Sequence, residues 1–208
     1  FLASNTTDAA YYPTVARMLF TLAADLRAKI GANIVMINLS GGIGVPYMPQ
    51  DKPADIGQIA RGVQAAFDEI MLPAGLGSCA VVTELGRYMT GACGCLVATA
   101  IHEKKIHKDY IGLDACAADL LRPAMYGAYH RVSVPGKEAL PHDHLYDVTG
   151  SLCENNDKFA VDRALPEIER GDLVVIHDTG AHGHCMGYNY NGKLRSAEVL
   201  LAADGSFS

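Results

Sequence analysis

The run NIVMINL (33–39), followed at once by Ser40-Gly41-Gly42-Ile43-Gly44, constrains the fold more than any other feature of this chain. A short, continuous apolar run bounded by glycine suits a strand buried on both faces, the setting of a parallel sheet. Its neighbours read as helices. From Pro13 the apolar positions Val15, Leu19, Leu22 and Leu26 fall at helical spacing and stop near Gly31, and Ile56, Ile59, Val63, Phe67 and Ile70 mark a second amphipathic helix. CAVVTE (79–84) is a second buried strand. Strand, helix and strand of these lengths make a βαβ unit with a right-handed crossover.

After Arg87 the pattern changes. Segments 94–105, 109–116, 130–136, 144–153, 172–180 and 196–205 are β-like runs separated by turn residues, with one short helix around 117–128. Runs of strands after α/β units predict a separate β domain, a Greek-key sandwich or a small barrel. The expected division is 1–90 for the α/β part and 91–208 for the β domain. The opening FLA reads as the end of an interrupted strand, so the chain is expected to begin inside a larger protein. The closing Ala203-Asp204-Gly205-Ser206 reads as a turn without its second strand.

Composition excludes some classes of function. A net charge of −6 argues against nucleic acid or an anionic membrane as the main partner. No run approaches the roughly 20 apolar residues that span a bilayer, and the first residues lack the basic and apolar regions of a signal peptide. The six cysteines, Cys79, Cys93, Cys95, Cys116, Cys153 and Cys185, show no disulfide spacing, and reduced thiols in the cytoplasm are expected. Cys93 and Cys95 are read as lying in a strand, too splayed to bridge each other.

Two motifs lie at the ends of the buried strands. The glycines of SGGIGVPY let backbone N–H groups approach a phosphate, although many strand-to-helix turns carry glycines for conformational reasons alone. In Glu84-Leu85-Gly86-Arg87 an arginine can fork onto a phosphate while a carboxylate faces a protonated ring nitrogen; the plain alternative is an ion pair at a strand end. Two such motifs on neighbouring parallel strands point to one phosphate-bearing ligand.

These motifs, with ELGRYMTG, DLLRPAMYGAYH, GSLCENNDKFAVDRALPEIERGDLVVIHDTGA and NYNGKLRSAEVLL, occur in the order and approximate spacing found in the diaminopimelate decarboxylase family. The resemblance covers essentially the whole chain and extends to the wider group of pyridoxal-phosphate-dependent ornithine and arginine decarboxylases. It implies part of a (β/α)8 barrel of the alanine-racemase type followed by a β domain, a bound pyridoxal 5'-phosphate, an amino-acid substrate and a homodimer with a shared active site. Gly41, Gly42 and Gly44 match the glycine loop under the cofactor phosphate. Glu84 matches the carboxylate on the pyridinium nitrogen, within the Glu84-Leu85-Gly86-Arg87 turn, and Arg87 matches the arginine that contacts phosphate and, in some members, substrate. Arg122, Tyr126 and Glu154 match the group holding the distal end of diaminopimelate, and Cys153 matches the cysteine that returns a proton after carbon dioxide leaves, a role open to a thiol.

The chain departs from the family at several places. Ser40 stands for the loop's first glycine, Leu85 for a proline, and His182 for the tyrosine on the phosphate, with Tyr188 and Tyr190 nearby. The resemblance places the Schiff-base lysine and the ring-stacking histidine upstream of Phe1. None of Lys29, Lys52, Lys104, Lys105, Lys108, Lys137, Lys158 and Lys193 lies in a matching motif.

Other clusters read more plainly. Asp178, His182, His184 and Cys185 resemble half a zinc site, but the second ligand pair is missing, and no metal is expected. His142 and His144 fall in a polar loop. No serine sits in a nucleophile elbow. The expected activity of the full-length protein is decarboxylation of meso-diaminopimelate to L-lysine, with the chain alone inactive. The alternatives are a catalytically silent homologue that binds a partner, and a decarboxylase for another basic amino acid.

Overall fold

The computed structural model describes residues 3–208; Phe1 and Leu2, on which the expected strand end falls, lie outside the described residues. The chain divides into two compact units, Phe1–Met89 and Thr90–Ser208.

In the first unit α1 (Tyr11–Ile30), β1 (Met36–Asn38), α2 (Ile56–Ile70) and β2 (Ala80–Val82) follow in order, and α3 (Gly86–Thr90) comes next. Asp55 caps α2 by accepting the Gln58 amide at 2.8 Å. Arg27 and Lys29 place positive charge in the last turn of α1, where the helix dipole favours it. Phe20 of α1 meets Phe67 of α2 edge to face, ring centres 5.7 Å apart. β1 and β2 pair in parallel, Met36 opposite Ala80 and Asn38 opposite Val82.

Two expectations need correction here. Within the described residues neither strand is buried on both faces: in β1 Ile37 enters the core, followed by Leu39, while Met36 and Asn38 are exposed, and all three residues of β2 are exposed. The buried stripe of α1 is Tyr12, Ala16, Phe20 and Ala23, and the expected Leu22 and Leu26 are exposed. The alanines let the helix approach its neighbour closely, so small residues hold the contact line and the leucines flank it. Hydrophobicity alone ranks them the other way.

The second unit contains β3 (Leu96–Lys105), β4 (Asp109–Leu113), α4 (Leu121–Tyr126), β5 (Val132–Ser133), β6 (His144–Thr149), β7 (Lys158–Leu165) and β8 (Leu173–Ile176). They form one six-stranded mixed sheet in the order β5-β8-β3-β4-β6-β7, not the two stacked sheets of a sandwich. The long β3 makes this possible: residues Leu96–Thr99 pair with β8, and beyond Ala100 the strand pairs with β4 across a register shift. All six strands contribute to a single core, including Ala98, Ile111, Val132, Tyr146, Phe159 and Ile176. One sheet enclosing one core has to curl, as in a small barrel.

β7 was not among the expected strands. Segment 196–205 is not a strand either: Leu201 bridges Phe207, and Ala202 N–H donates to Ser206 at 2.8 Å, so the closing turn has a short returning arm. Gly91–Cys93 is a 3₁₀ turn, and β3 starts only at Leu96. None of the six cysteines is in a disulfide. Among the described residues no helix is long and apolar enough to cross a membrane.

Candidate functional site

The first group of candidate residues lies where β1 and β2 end. The ladder continues past the strands: Leu39 N–H donates to Val82 at 2.8 Å and Glu84 N–H donates to Ser40 at 2.9 Å. The glycine loop and the Glu84–Arg87 turn are thereby tied to each other. Tyr12 adds its hydroxyl to the Ser40 carbonyl at 2.6 Å, and burial, then the Glu84 charge, pushes the Tyr12 phenol up. Asn38 bridges the two loops, accepting Ser40 N–H at 2.7 Å and donating to Glu84 Oε1 at 2.6 Å.

The glycines are required sterically. A Cβ at Gly41 would lie 2.6 Å from the Glu84 carbonyl oxygen, and one at Gly42, where φ is 108°, would lie 2.7 Å from that of Ala3. A Cβ at Gly44 would press on Asn5, and the Gly44 N–H is occupied, donating to Thr6 at 2.8 Å. The amides of Gly41, Gly42 and Ile43 donate to no acceptor among the described residues. Arg87 lies over the Tyr47 ring, 5.6 Å from its centre, and donates from Nη1 to the Tyr47 hydroxyl at 3.3 Å. Among the described residues its Nε is buried without a partner, and leaving such a donor unsatisfied costs about 1–3 kcal/mol. Leu85 packs against the core at the turn that Gly86 opens into α3. Three open amides, an orphaned guanidinium nitrogen and a carboxylate fit a ligand with a phosphate and a protonated ring nitrogen.

The second group lies in the sheet unit. Asp157, 3% exposed, organises the turn that carries Cys153 and Glu154 by accepting Ala117 N–H at 2.6 Å and Leu152 N–H at 2.7 Å. Burial pushes its carboxyl up, and these two amides oppose the shift. The turn is also tied to the loop after β8. Cys153 N–H donates to Asn191 Oδ1 at 3.2 Å, and Lys193 Nζ donates to Ser151 at 2.9 Å. Cys153 and Glu154 are exposed, and Glu154 Oε1 accepts the Asn156 amide at 3.1 Å. Tyr188 N–H donates to Ala118 at 3.3 Å, and burial, then Asp157, pushes the Tyr188 phenol up.

Arg122 and Tyr126 share α4 but differ in setting. Tyr126 is 64% exposed, whereas Arg122 is buried with Nη1 2.7 Å from His130 Nε2. His130 is fully buried, and its Nδ1 lies 2.8 Å from the His177 carbonyl oxygen. A carbonyl only accepts, so Nδ1 carries the proton and Nε2 accepts from Arg122. His182 is exposed at φ 57°, on a loop held by Thr179 N–H to Gly94 at 2.9 Å and Gly180 N–H to Gly91 at 3.1 Å. His184 is near Ser196 and Glu198, and among the described residues no group of three or more His, Cys, Asp or Glu is placed to hold a metal. His142 is exposed, while His144 opens β6 and stacks on Tyr146.

The sequence reading passed over Tyr12, Asn38, Asp157, His130 and Asn191. Only Asn38 carried a local signal, a polar residue near the end of an apolar run.

The family model of the pyridoxal-dependent decarboxylase C-terminal sheet domain matches residues 8–180. Protein TabA of Pseudomonas amygdali pv. tabaci is 42% identical over 182 residues, 88% of this chain and 42% of the relative. Diaminopimelate decarboxylase of Methanothermobacter thermautotrophicus is 34% identical over 200 residues, 96% of this chain and 47% of the relative. The crystal structure of diaminopimelate decarboxylase from M. jannaschii in complex with L-lysine superposes with a TM-score of 0.86 at 27% identity, covering 98% of this chain and 46% of that one. The chain thus spans about half the length of the curated relatives it matches.

Proposed function

The chain belongs to the pyridoxal-dependent decarboxylases, and from that premise we propose that the full-length protein converts meso-diaminopimelate to L-lysine and carbon dioxide. The observation that carries the reading is the buried, unpartnered Nε of Arg87 on a turn tied to a glycine loop with open amides. In this reading Gly41, Gly42 and Arg87 hold the cofactor phosphate, and Gly44 shapes the loop through its bond to Thr6. Glu84 accepts from the ring nitrogen. Pyridoxal phosphate, when bound, supplies an electron sink for the charge left as carbon dioxide departs. His182 takes the place of the family tyrosine at the phosphate, donating from its ring N–H.

Cys153 Sγ holds the proton that goes to the substrate's α-carbon once the bond to its carboxylate has broken, and the thiolate recovers a proton from solvent. The distal end of the substrate is an ammonium and a carboxylate. A carboxylate in a closed site needs a cation and an ammonium needs an anion, which supports Arg122 and Glu154 as the pair, with Tyr126 beside them. The M. jannaschii relative's complex with L-lysine supports an amino-acid ligand of this kind.

The first unit is proposed as the C-terminal part of a (β/α)8 barrel, the whole protein as a cytoplasmic homodimer, and the 208-residue chain alone as inactive. The test is incubation of the full-length protein with pyridoxal phosphate and meso-diaminopimelate, following L-lysine and carbon dioxide. Both are expected in equal amounts. A protein that binds the cofactor yet releases no carbon dioxide from diaminopimelate, lysine, ornithine or arginine is a silent homologue, and the reading falls.

A further inference from the structure

We propose that Asn38 is a positioning residue that locks Glu84 to the glycine loop, so that one side chain sets the ring-nitrogen carboxylate and the phosphate loop in register. The inference rests on the cofactor reading of this site. A side-chain amide has one acceptor end and one donor end, and here both are matched to partners that allow a single orientation. Ser40 N–H can only donate, so Oδ1 faces it at 2.7 Å. The Glu84 carboxylate accepts, so Nδ2 faces it at 2.6 Å.

The placement follows from the parallel register. Asn38 is opposite Val82, and side chains two residues apart share a face of a strand, which puts Glu84 in reach of Asn38. Ser40 is also held by Glu84 N–H and the Tyr12 hydroxyl, both donating to its carbonyl. With φ at 62°, a conformation uncommon outside glycine, Ser40 needs such restraint. Asn38 therefore closes a ring of contacts in which the Glu84 backbone and side chain both answer to the Ser40 peptide. Without Asn38 the backbone bond remains, but the carboxylate is free to change rotamer, and its fit to a ring nitrogen is lost.

The experiment uses the full-length protein loaded with pyridoxal phosphate labelled with ¹⁵N in the ring, in the parent, Asn38→Leu, Glu84→Gln and the double variant. The ring ¹⁵N shift and the cofactor dissociation constant are both measured. Asn38→Leu is isosteric and removes both hydrogen bonds. It is expected to move the ring ¹⁵N resonance toward the unprotonated position and to weaken cofactor affinity about 10-fold. In the Glu84→Gln background the same substitution is expected to leave the ¹⁵N shift where Glu84→Gln has already put it. If Asn38→Leu does not fold, Asn38→Ser is read in the same way. A resonance unmoved by Asn38 substitution, or moved equally in both backgrounds, overturns the coupling while the cofactor reading stands. A parent protein that binds no pyridoxal phosphate overturns both.

Discussion

At the ends of β1 and β2 the loops that carry the candidate groups are set by backbone, and the Asn38 side chain fixes the Glu84 carboxylate between them. Glu84 and Ser40 continue the parallel ladder, and the groups left open are amides and one guanidinium nitrogen. In the sheet unit the candidate residues ride on irregular turns, and buried polar side chains do the positioning: Asp157 under Cys153 and Glu154, and His130 under Arg122. A ladder can place a loop within a few residues of the last strand pair. A turn with no ladder has unpaired amides of its own, and a buried acceptor must satisfy them or folding loses about 1–3 kcal/mol for each. The first arrangement is built on backbone pairing, with the Asn38 amide and the Tyr12 hydroxyl as its side-chain ties. The second relies on buried side chains.

The largest test of that contrast is Cys153→Ala in the full-length protein. Loss of a positioned proton donor lowers turnover by roughly 10²–10⁴-fold, with cofactor affinity unchanged, because the turn is held by Asp157 and not by the thiol. If the site is shared across a two-fold dimer, Cys153→Ala co-refolded with a variant lacking the Schiff-base lysine recovers part of the activity. Mixed dimers shown by mass spectrometry to exist, yet inactive, would place both residues in one chain's site.

Next in size is a pair of substitutions, one in each unit. Gly41→Ala forces a Cβ against the Glu84 carbonyl oxygen, and overpacking of this kind costs about 1–3 kcal/mol. Its expected signature is weaker pyridoxal phosphate binding, read by fluorescence titration, with the preference for diaminopimelate over lysine-like ligands unchanged. Arg122→Met leaves His130 Nε2 without its donor, a loss of about 1–3 kcal/mol in urea unfolding. It should also raise KM for diaminopimelate more than it weakens lysine. Equal effects on both ligands would make Arg122 a support for α4 alone.

The smallest effect is on acid stability. Burial would raise the carboxyl of Asp147, but hydrogen bonds from Lys158, the Asp162 amide and Lys108 outweigh it and hold the group below its usual range. A depressed carboxyl stabilises the fold fully above the ordinary carboxylate value, and that stability is lost as pH falls through the folded value. Asp157 has the opposite sign: raised by burial, its contribution is present at low pH and lost as pH rises through its folded value. Asp147→Asn should therefore destabilise the protein near neutrality and matter little in strong acid, measured by urea unfolding across that range. A loss independent of pH would mean that packing, not charge, is what Asp147 supplies.

Local pattern made much of this readable. The helices around 15–26 and 56–70 and the glycine loop after an apolar run depend on neighbours within a few residues, and those the chain states directly. The expected run 144–153 instead ends as a strand at Thr149, and Cys153 lies on the turn beyond it. β7 escaped notice because its outward positions Val161, Asp162 and Arg163 break the alternation, with Asp162 at φ 46°, while Phe159, Ala160 and Leu165 are buried. Sandwich and small barrel stayed open in the sequence because nothing in a strand's own residues says that β3 will change partners halfway along. The single curled sheet decides for the barrel-like form.

Sequence by itself determined both long helices, the parallel strands of the first unit, most strands of the second and the chemical types of the candidate residues, because periodicity and turn propensity are local. Tertiary structure alone decided which stripe of α1 is buried, that Arg122 faces His130 inside the unit, and that Asn38 meets Glu84. Those outcomes depend on partners distant along the chain, 46 residues apart for Asn38 and Glu84. Pairing of that kind is selected by register and packing volume, and neither is written in any short stretch of residues.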